Sequence, residues 1–252
     1  MEIVVQALSF LLGVPLEILT INAIRRIGIR RYFFPFALLV SLFVTTLVEM
    51  PASVVYYYYL GTGTTPGSIE HTRWVWAGRT LATSYWRDEA VRQLLWFATV
   101  ISLIYAASAR LASHRAVRTI VIVAAAAFTL GSLLAHYRPV APGKYGLWMS
   151  PWTRDLEFCS AILDMALWLL LIGSRKRDQR LLMLSGGLGV LFAGEAVGES
   201  VRNLGVGNRI AVDGGGIIIL AVNLLFLYIW WQAFRSAEGP ARELAGARPG
   251  AS

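Results

Sequence analysis

Hydrophobic positions in this chain fall in long unbroken blocks rather than recurring with the period of a soluble helix or strand. Seven such blocks lie at roughly 3–24, 32–59, 91–109, 118–136, 156–173, 181–199 and 210–234. Each is close to the ~20 residues an α-helix needs to cross ~30 Å of hydrocarbon. The pattern predicts an all-α, multi-pass membrane protein: one seven-transmembrane-helix bundle over residues 1–235. Residues 236–252, rich in Gly, Pro and Ala with mixed charge, are expected to form a short disordered tail. A signalling role is then expected to need a separate partner.

Composition strengthens this reading. Hydrophobic residues make up 56% of the chain and charged residues 15%, with mean hydropathy +0.58, outside the range of a soluble domain. The net charge of +8 in a soluble protein would suggest nucleic acid. Here the basic residues lie mainly between blocks, so no nucleic-acid partner is expected.

Those loop charges set a predicted orientation. The loops 1–2, 3–4 and 5–6 and the C-terminal tail hold fourteen Lys and Arg, including Arg25, Arg26, Arg30, Arg31, Arg118, Arg180 and Arg235; the alternate loops hold nine over more residues. Cytoplasmic segments retain positive charge, which places the C-terminus in the cytoplasm and the N-terminus outside. Residues 1–6 contain Glu2 and no Lys or Arg, so they lack the basic region of a signal peptide, and helix 1 is expected to be retained. Anionic lipid headgroups are the expected partners of the cytoplasmic arginines.

Aromatic residues fit the same frame. Tyr56 to Tyr59, Trp74, Trp76, Tyr85, Trp86, Tyr137, Tyr145, Trp148 and Trp152 form an expected outer belt, and Tyr228, Trp230 and Trp231 mark the inner end of helix 7. The segment from Glu70 to Trp86, with Trp74, Leu81 and Tyr85 at spacings of seven and four, is expected to lie as a short amphipathic helix on the outer surface. Its sharper reading is a partner-binding lid.

Ionisable groups inside the apolar blocks are the candidates for chemistry, because a charge at the bilayer centre costs ~2.5–3.5 kcal/mol even on lenient insertion scales. These are Glu17, Glu49, Glu157, Asp164, Glu195, Glu199 and Asp213. The predicted orientation puts most of them in the outer half of the bundle, with Asp164 near mid-membrane and Glu17 towards the inside. Glu195 and Glu199 share a helical face, and Arg202 is within reach of Glu199. Glu49, Glu157, Asp164, Glu195, Glu199, Arg202 and Asp213 together define a candidate ligand or ion pocket opening outward; ordinary interhelical pairing and contacts with helix N-termini are the bland alternative.

Small residues suggest how the helices meet. Gly189, Gly194 and Gly198 on helix 6 and Gly214, Gly215 and Gly216 on helix 7 predict close packing of the two. The alternative is a helix 7 broken at its glycines to free backbone groups for a ligand, as in transporters. Pro15 and Pro51 are expected to kink helices 1 and 2.

Several chemistries lack their residues. Cys159 is the only cysteine, and His71, His114 and His136 are the only histidines, which argues against a metal site or a bis-histidine haem. Lys144 and Lys176, the only lysines, fall in loops, so no helix carries a lysine for a retinal Schiff base. No cofactor is predicted. Neither HExxH nor GxSxG occurs, and no catalytic residue is assigned.

Glu195, Glu199 and Arg202 loosely match the Glu-Glu-x-x-x-Arg element of membrane abortive-infection-type proteases, whose histidine motifs are missing. The seven-helix sugar transporters share the topology, but their Pro-Gln pairs are missing. Through Tyr85-Trp86-Arg87-Asp88-Glu89 entering helix 3 and Arg154-Asp155-Leu156-Glu157-Phe158 entering helix 5, the chain resembles uncharacterised seven-helix membrane proteins of bacteria. The resemblance implies a bacterial cytoplasmic (inner) membrane and no known activity. The reading is a non-enzymatic protein that binds a ligand or partner, as a sensor, an assembly subunit or a homo-oligomer. The alternatives are a small-solute or proton-coupled transporter using the buried carboxylates, and a lipid-modifying enzyme.

Overall fold

The computed structural model describes residues 2–62, 65–109, 114–139, 146–173, 178–204 and 209–235. Among the described residues seven α-helices follow one another: α1 Glu2–Ile27, α2 Phe33–Thr62, α3 Ile69–Ser108, α4 His114–His136, α5 Gly146–Gly173, α6 Gln179–Leu204 and α7 Arg209–Arg235, with a 3-10 turn at Ile29–Tyr32 after α1. Among the described residues six stretches are long and apolar enough to span a bilayer, at Ile29–Tyr59, Asp88–Ser108, Arg115–His136, Trp148–Gly173, Gln179–Leu204 and Ile210–Arg235. The chain is a multi-pass membrane protein. Among the described residues α1 is not one of the six, so the expected seventh span is not part of this count. The tail at 236–252 lies outside the described residues.

Two helices differ in length from the sequence expectation. The segment 70–86 is not a separate surface helix; it is the first half of α3, which runs unbroken for 40 residues. At 1.5 Å per residue that is about 60 Å, twice the thickness of hydrocarbon. Its start is defined by Ser68, whose hydroxyl accepts from the His71 N–H at 3.0 Å, and neither Gly nor Pro follows Gly78 to interrupt it. Helix α5 begins ten residues before the expected 156, and Pro151 sits inside it. So early in the helix, the missing N–H leaves only the Leu147 carbonyl without its helical donor. Pro15 and Pro51 likewise lie within α1 and α2, which continue through them.

The helices group into two compact units: Met1–Phe36 with Asp164–Ser252, and Ala37–Leu163. In the first unit α7 packs against both α6 and α1. Helices α6 and α7 are antiparallel, since Leu184 meets Trp230 near one end and Arg202 meets Gly215 near the other. Their seam is built on missing side chains. A methyl group on Gly198 would lie 2.5 Å from Ile219 Cγ1 and 3.0 Å from the Gly215 carbonyl oxygen; one on Gly215 would lie 2.6 Å from the Gly198 carbonyl and collide with Arg202 Cγ. One on Gly194 would run into Val222. Helix α7 passes through Gly214, Gly215 and Gly216 without a break.

Gly187 performs a similar service for Trp230. A methyl there would sit 2.9 Å from the indole Cδ1, and the indole Nε1 donates to the Leu184 carbonyl at 3.0 Å. Trp230 is fully buried between Phe226 and Phe234, so it is a core residue of this unit rather than the boundary anchor its position suggested. Tyr32, just past α1, rests edge-on against Phe234 with ring centroids 5.2 Å apart and accepts a hydrogen bond from Arg180 Nη1 at 3.2 Å. The end of α1, the start of α6 and the end of α7 therefore meet, and Arg31, Arg180 and Arg235 gather there over the rings of Tyr32 and Trp231.

In the second unit Phe97 of α3 and Trp152 and Leu156 of α5 form a core, with Ala125 and Leu133 of α4 packed against it. Helix α2 runs antiparallel to the first half of α3: Thr45 meets Asp88, while Tyr56 stacks on Trp74 at 5.9 Å and lies 3.4 Å from the place of a Gly78 methyl. At the other end of α3, Arg118 of α4 donates to Ser108 Oγ and the Tyr105 carbonyl, its guanidinium 3.8 Å from the Tyr105 ring.

The seam makes a graded prediction. Gly198→Leu overpacks the α6–α7 contact and lowers stability by ~1–3 kcal/mol. Gly216→Ala, with no atom within 4 Å of the new methyl, does not lower it and adds up to ~1 kcal/mol through helix propensity. Reversible unfolding in mixed detergent micelles measures both, and equal effects would refute the seam.

Candidate functional site

Close approach of α6 and α7 places polar side chains where neither helix alone would. Glu195 follows Gly194, and Asn223 follows the Val222 that fills the Gly194 gap, so Asn223 Nδ2 comes within 3.4 Å of Glu195 Oε1 while also donating to the Ile219 carbonyl at 2.9 Å. One turn further along α6, Glu199 accepts from Arg202 Nη1 at 2.8 Å, and both side chains are about half exposed. The aliphatic stem of Arg202 crosses Gly215, two residues beyond Asp213 on α7. Glu195, Glu199, Arg202 and Asp213 thus share one end of the α6–α7 pair.

Asp164 is elsewhere in the same unit. It lies on α5, is 2% exposed, and its Oδ1 accepts from Ser185 Oγ of α6 at 2.8 Å. Ser185 and Glu195 are ten residues apart on α6, about 15 Å along the axis. Gly189 serves this carboxylate and not the α6–α7 seam, because the position of its absent methyl is 3.5 Å from Asp164 Oδ2. Gly214 and Gly216 meet nothing within 4 Å and stand outside the seam.

Glu49 and Glu157 belong to the second unit, where both are half-buried and neither is without a partner. That unit carries polar pairs the sequence reading passed over. Asp155 Oδ2 accepts from Ser132 Oγ at 2.6 Å and contacts His136 Nε2 at 2.9 Å, joining α4 to α5. Thr45 Oγ1 donates to Asp88 Oδ1 at 2.5 Å. Glu89 pairs with Arg92 and Gln93 on its own helix.

Some of these had a legible signal: Ser132 and His136 stand four apart, on one face of a helix. Asp155 was masked by its position in a supposed helix entrance. Ser185 and Asn223 carry no sequence signal that names their partners.

The chemistry these groups can perform follows from who donates to whom. In the Ser132–Asp155–His136 cluster the serine proton points at the carboxylate and not at the imidazole, so the arrangement holds Asp155 in place and does not activate Ser132. Among the described residues no three His, Cys, Asp or Glu side chains converge as a metal site. No protein family, curated protein or solved structure matches the chain.

The Asp164–Ser185 bond joins two helices in an apolar setting. A double-mutant cycle of Asp164→Asn and Ser185→Ala, followed by micelle unfolding, is expected to return a coupling of about 0.5–2 kcal/mol. Additive losses would show that the two side chains do not interact.

Proposed function

We propose that this chain is a non-enzymatic component of a bacterial-type cytoplasmic membrane that binds a ligand or protein partner at the end of α6 and α7 that carries Glu195, Glu199, Arg202 and Asp213. In this reading α1 is a seventh span, the N-terminus is outside and the C-terminus is in the cytoplasm, and the polar end faces outward. It serves as a sensor or as a subunit of a larger assembly.

One observation carries the reading. Polar groups step down a single face of α6 from the half-exposed Glu199–Arg202 pair to Glu195, which is joined across the seam to Asn223. Such a gradient gives an approaching polar ligand both a carboxylate and a guanidinium at the mouth and a second carboxylate one turn deeper. The gathering of Arg31, Arg180 and Arg235 at the opposite end of the same unit supports the orientation, since those arginines suit the cytoplasmic leaflet. There each would attract anionic headgroups by ~1 kcal/mol.

A second reading, a proton-coupled or small-solute transporter, is favoured by Asp164, a buried carboxylate between two helices with Ser185 as its donor. It predicts flux in proteoliposomes that Asp164→Asn abolishes.

Gentle purification followed by mass spectrometry of retained molecules tests the binding reading. The unaltered chain is expected to retain a ligand or protein that Glu195→Gln and Arg202→Gln lose at least tenfold, and that Gly216→Ala keeps. Identical retained sets in all four proteins would refute it. Reporter fusions that place both termini on one side of the membrane would refute the orientation.

A further inference from the structure

Glu17 is used by none of the interactions above. It lies in α1 two residues after Pro15, on the face that also buries Gly13, Thr20 and Ile24. The residue is 7% exposed, and its Oε2 is fully buried with no hydrogen-bond partner among the described residues. An ionised carboxylate in that condition is among the most expensive groups a protein interior can hold. Something has to offset the charge.

The neighbouring elements offer little. Thr20, one turn along the same face, donates its hydroxyl proton to the Leu16 carbonyl at 2.7 Å. Helix α7, packed against α1, has no titratable side chain between Asp213 and Tyr228, and its one polar side chain there is Asn223. The amide nitrogen of Asn223 already donates to Ile219 and Glu195. Arg25 and Arg26 are exposed and at least eight residues further along α1, about 12 Å away along the axis. Arg30 and Arg31 are exposed in the 3-10 turn beyond them, where Tyr32 packs on Phe234, and Arg235 lies at that same end. Asp213 and Tyr228 lie on α7 outside this stretch.

We propose that Glu17 is a proton-binding site inside the first helical unit: its carboxylate takes up a proton at Oε2, forming an O–H bond and a neutral acid that the apolar α1 face tolerates. A metal cation is the poorer occupant, because sodium or potassium requires several oxygen ligands and no convergent set of acidic or histidine ligands exists among the described residues. Release of the proton leaves a buried anion that must recruit water or part the helices around it. Protonation of Glu17 thereby couples to the packing of α1. This assignment stands independently of the ligand reading at Glu195 and Arg202.

Infrared difference spectra of the full chain in lipid nanodiscs, recorded between acidic and alkaline buffer, test the site. A protonated-carboxyl band is expected to titrate away as pH rises, to be missing in Glu17→Gln, to persist in Asp164→Asn, and to be indifferent to sodium. A band unchanged in Glu17→Gln, no band at all, or a band removed by sodium at constant pH would overturn the proposal. Should Glu17→Gln fail to fold, a hydrophobic carbodiimide, which modifies protonated carboxyls, decides on the unaltered chain. The adduct is expected on the Glu17 peptide, its rate falling about tenfold per pH unit above the midpoint. An adduct found on other carboxyls and not on Glu17 would refute the site.

Discussion

Contact between the backbones of α6 and α7 at Gly198 and Gly215 is the constraint from which the rest of the first unit follows. In lipid no hydrophobic force drives helices together, since tails are as apolar as leucine, so association relies on close van der Waals approach and interhelical hydrogen bonds. Removing side chains at Gly194, Gly198 and Gly215 allows that approach. The Trp230 indole can then lie against Gly187 and reach the Leu184 carbonyl, and Asn223 can reach Glu195. Arg202 gains a floor for its stem at Gly215 while its guanidinium stays with Glu199.

Carboxylates on the helices of this protein are handled in two distinct ways. Asp164 with Ser185, Asp155 with Ser132 and His136, and Asp88 with Thr45 each take a hydroxyl donor from a second helix. Such pairs tie helices together at modest net benefit, and their greater effect is on register, because an acceptor left alone in apolar surroundings is far costlier than one that is satisfied. Glu17 has no such donor on the helix packed beside it, and its neutrality falls to a proton. Among the described residues, Asp164, Asp155 and Asp88 brace helices, and Glu17 is the proposed proton-binding site.

The long α3 shows how local and tertiary forces combine. A capped start at Ser68 and thirty residues free of Gly and Pro after Gly78 make continuous helix the cheapest backbone. Its charged first half is then accommodated by running beside α2, where Tyr56 stacks on Trp74 and Thr45 meets Asp88. The polar segment is thus the first half of one continuous helix and not a separate surface helix.

Apolar block length by itself determined that the chain is helical and crosses a membrane several times, because hydrocarbon thickness and backbone hydrogen bonding leave no other solution. Glycine spacing on helix 6 also named Gly194 and Gly198 correctly as points of close approach, since residues four apart share a face. Partner identity was beyond it. Whether Gly189 meets a helix or the Asp164 carboxylate, whether Trp230 faces headgroups or a core, and which hydroxyl satisfies which acid all depend on where a second helix lies. The sequence-predicted pocket of seven residues accordingly resolved into Glu195, Glu199 and Arg202 along one face of α6, Asp213 two residues before Gly215 on α7, a separate Asp164–Ser185 pair, and two glutamates in the other unit. Tertiary structure decided these because helix periodicity defines a face but not its neighbour, and burial and hydrogen bonding are properties of the pair.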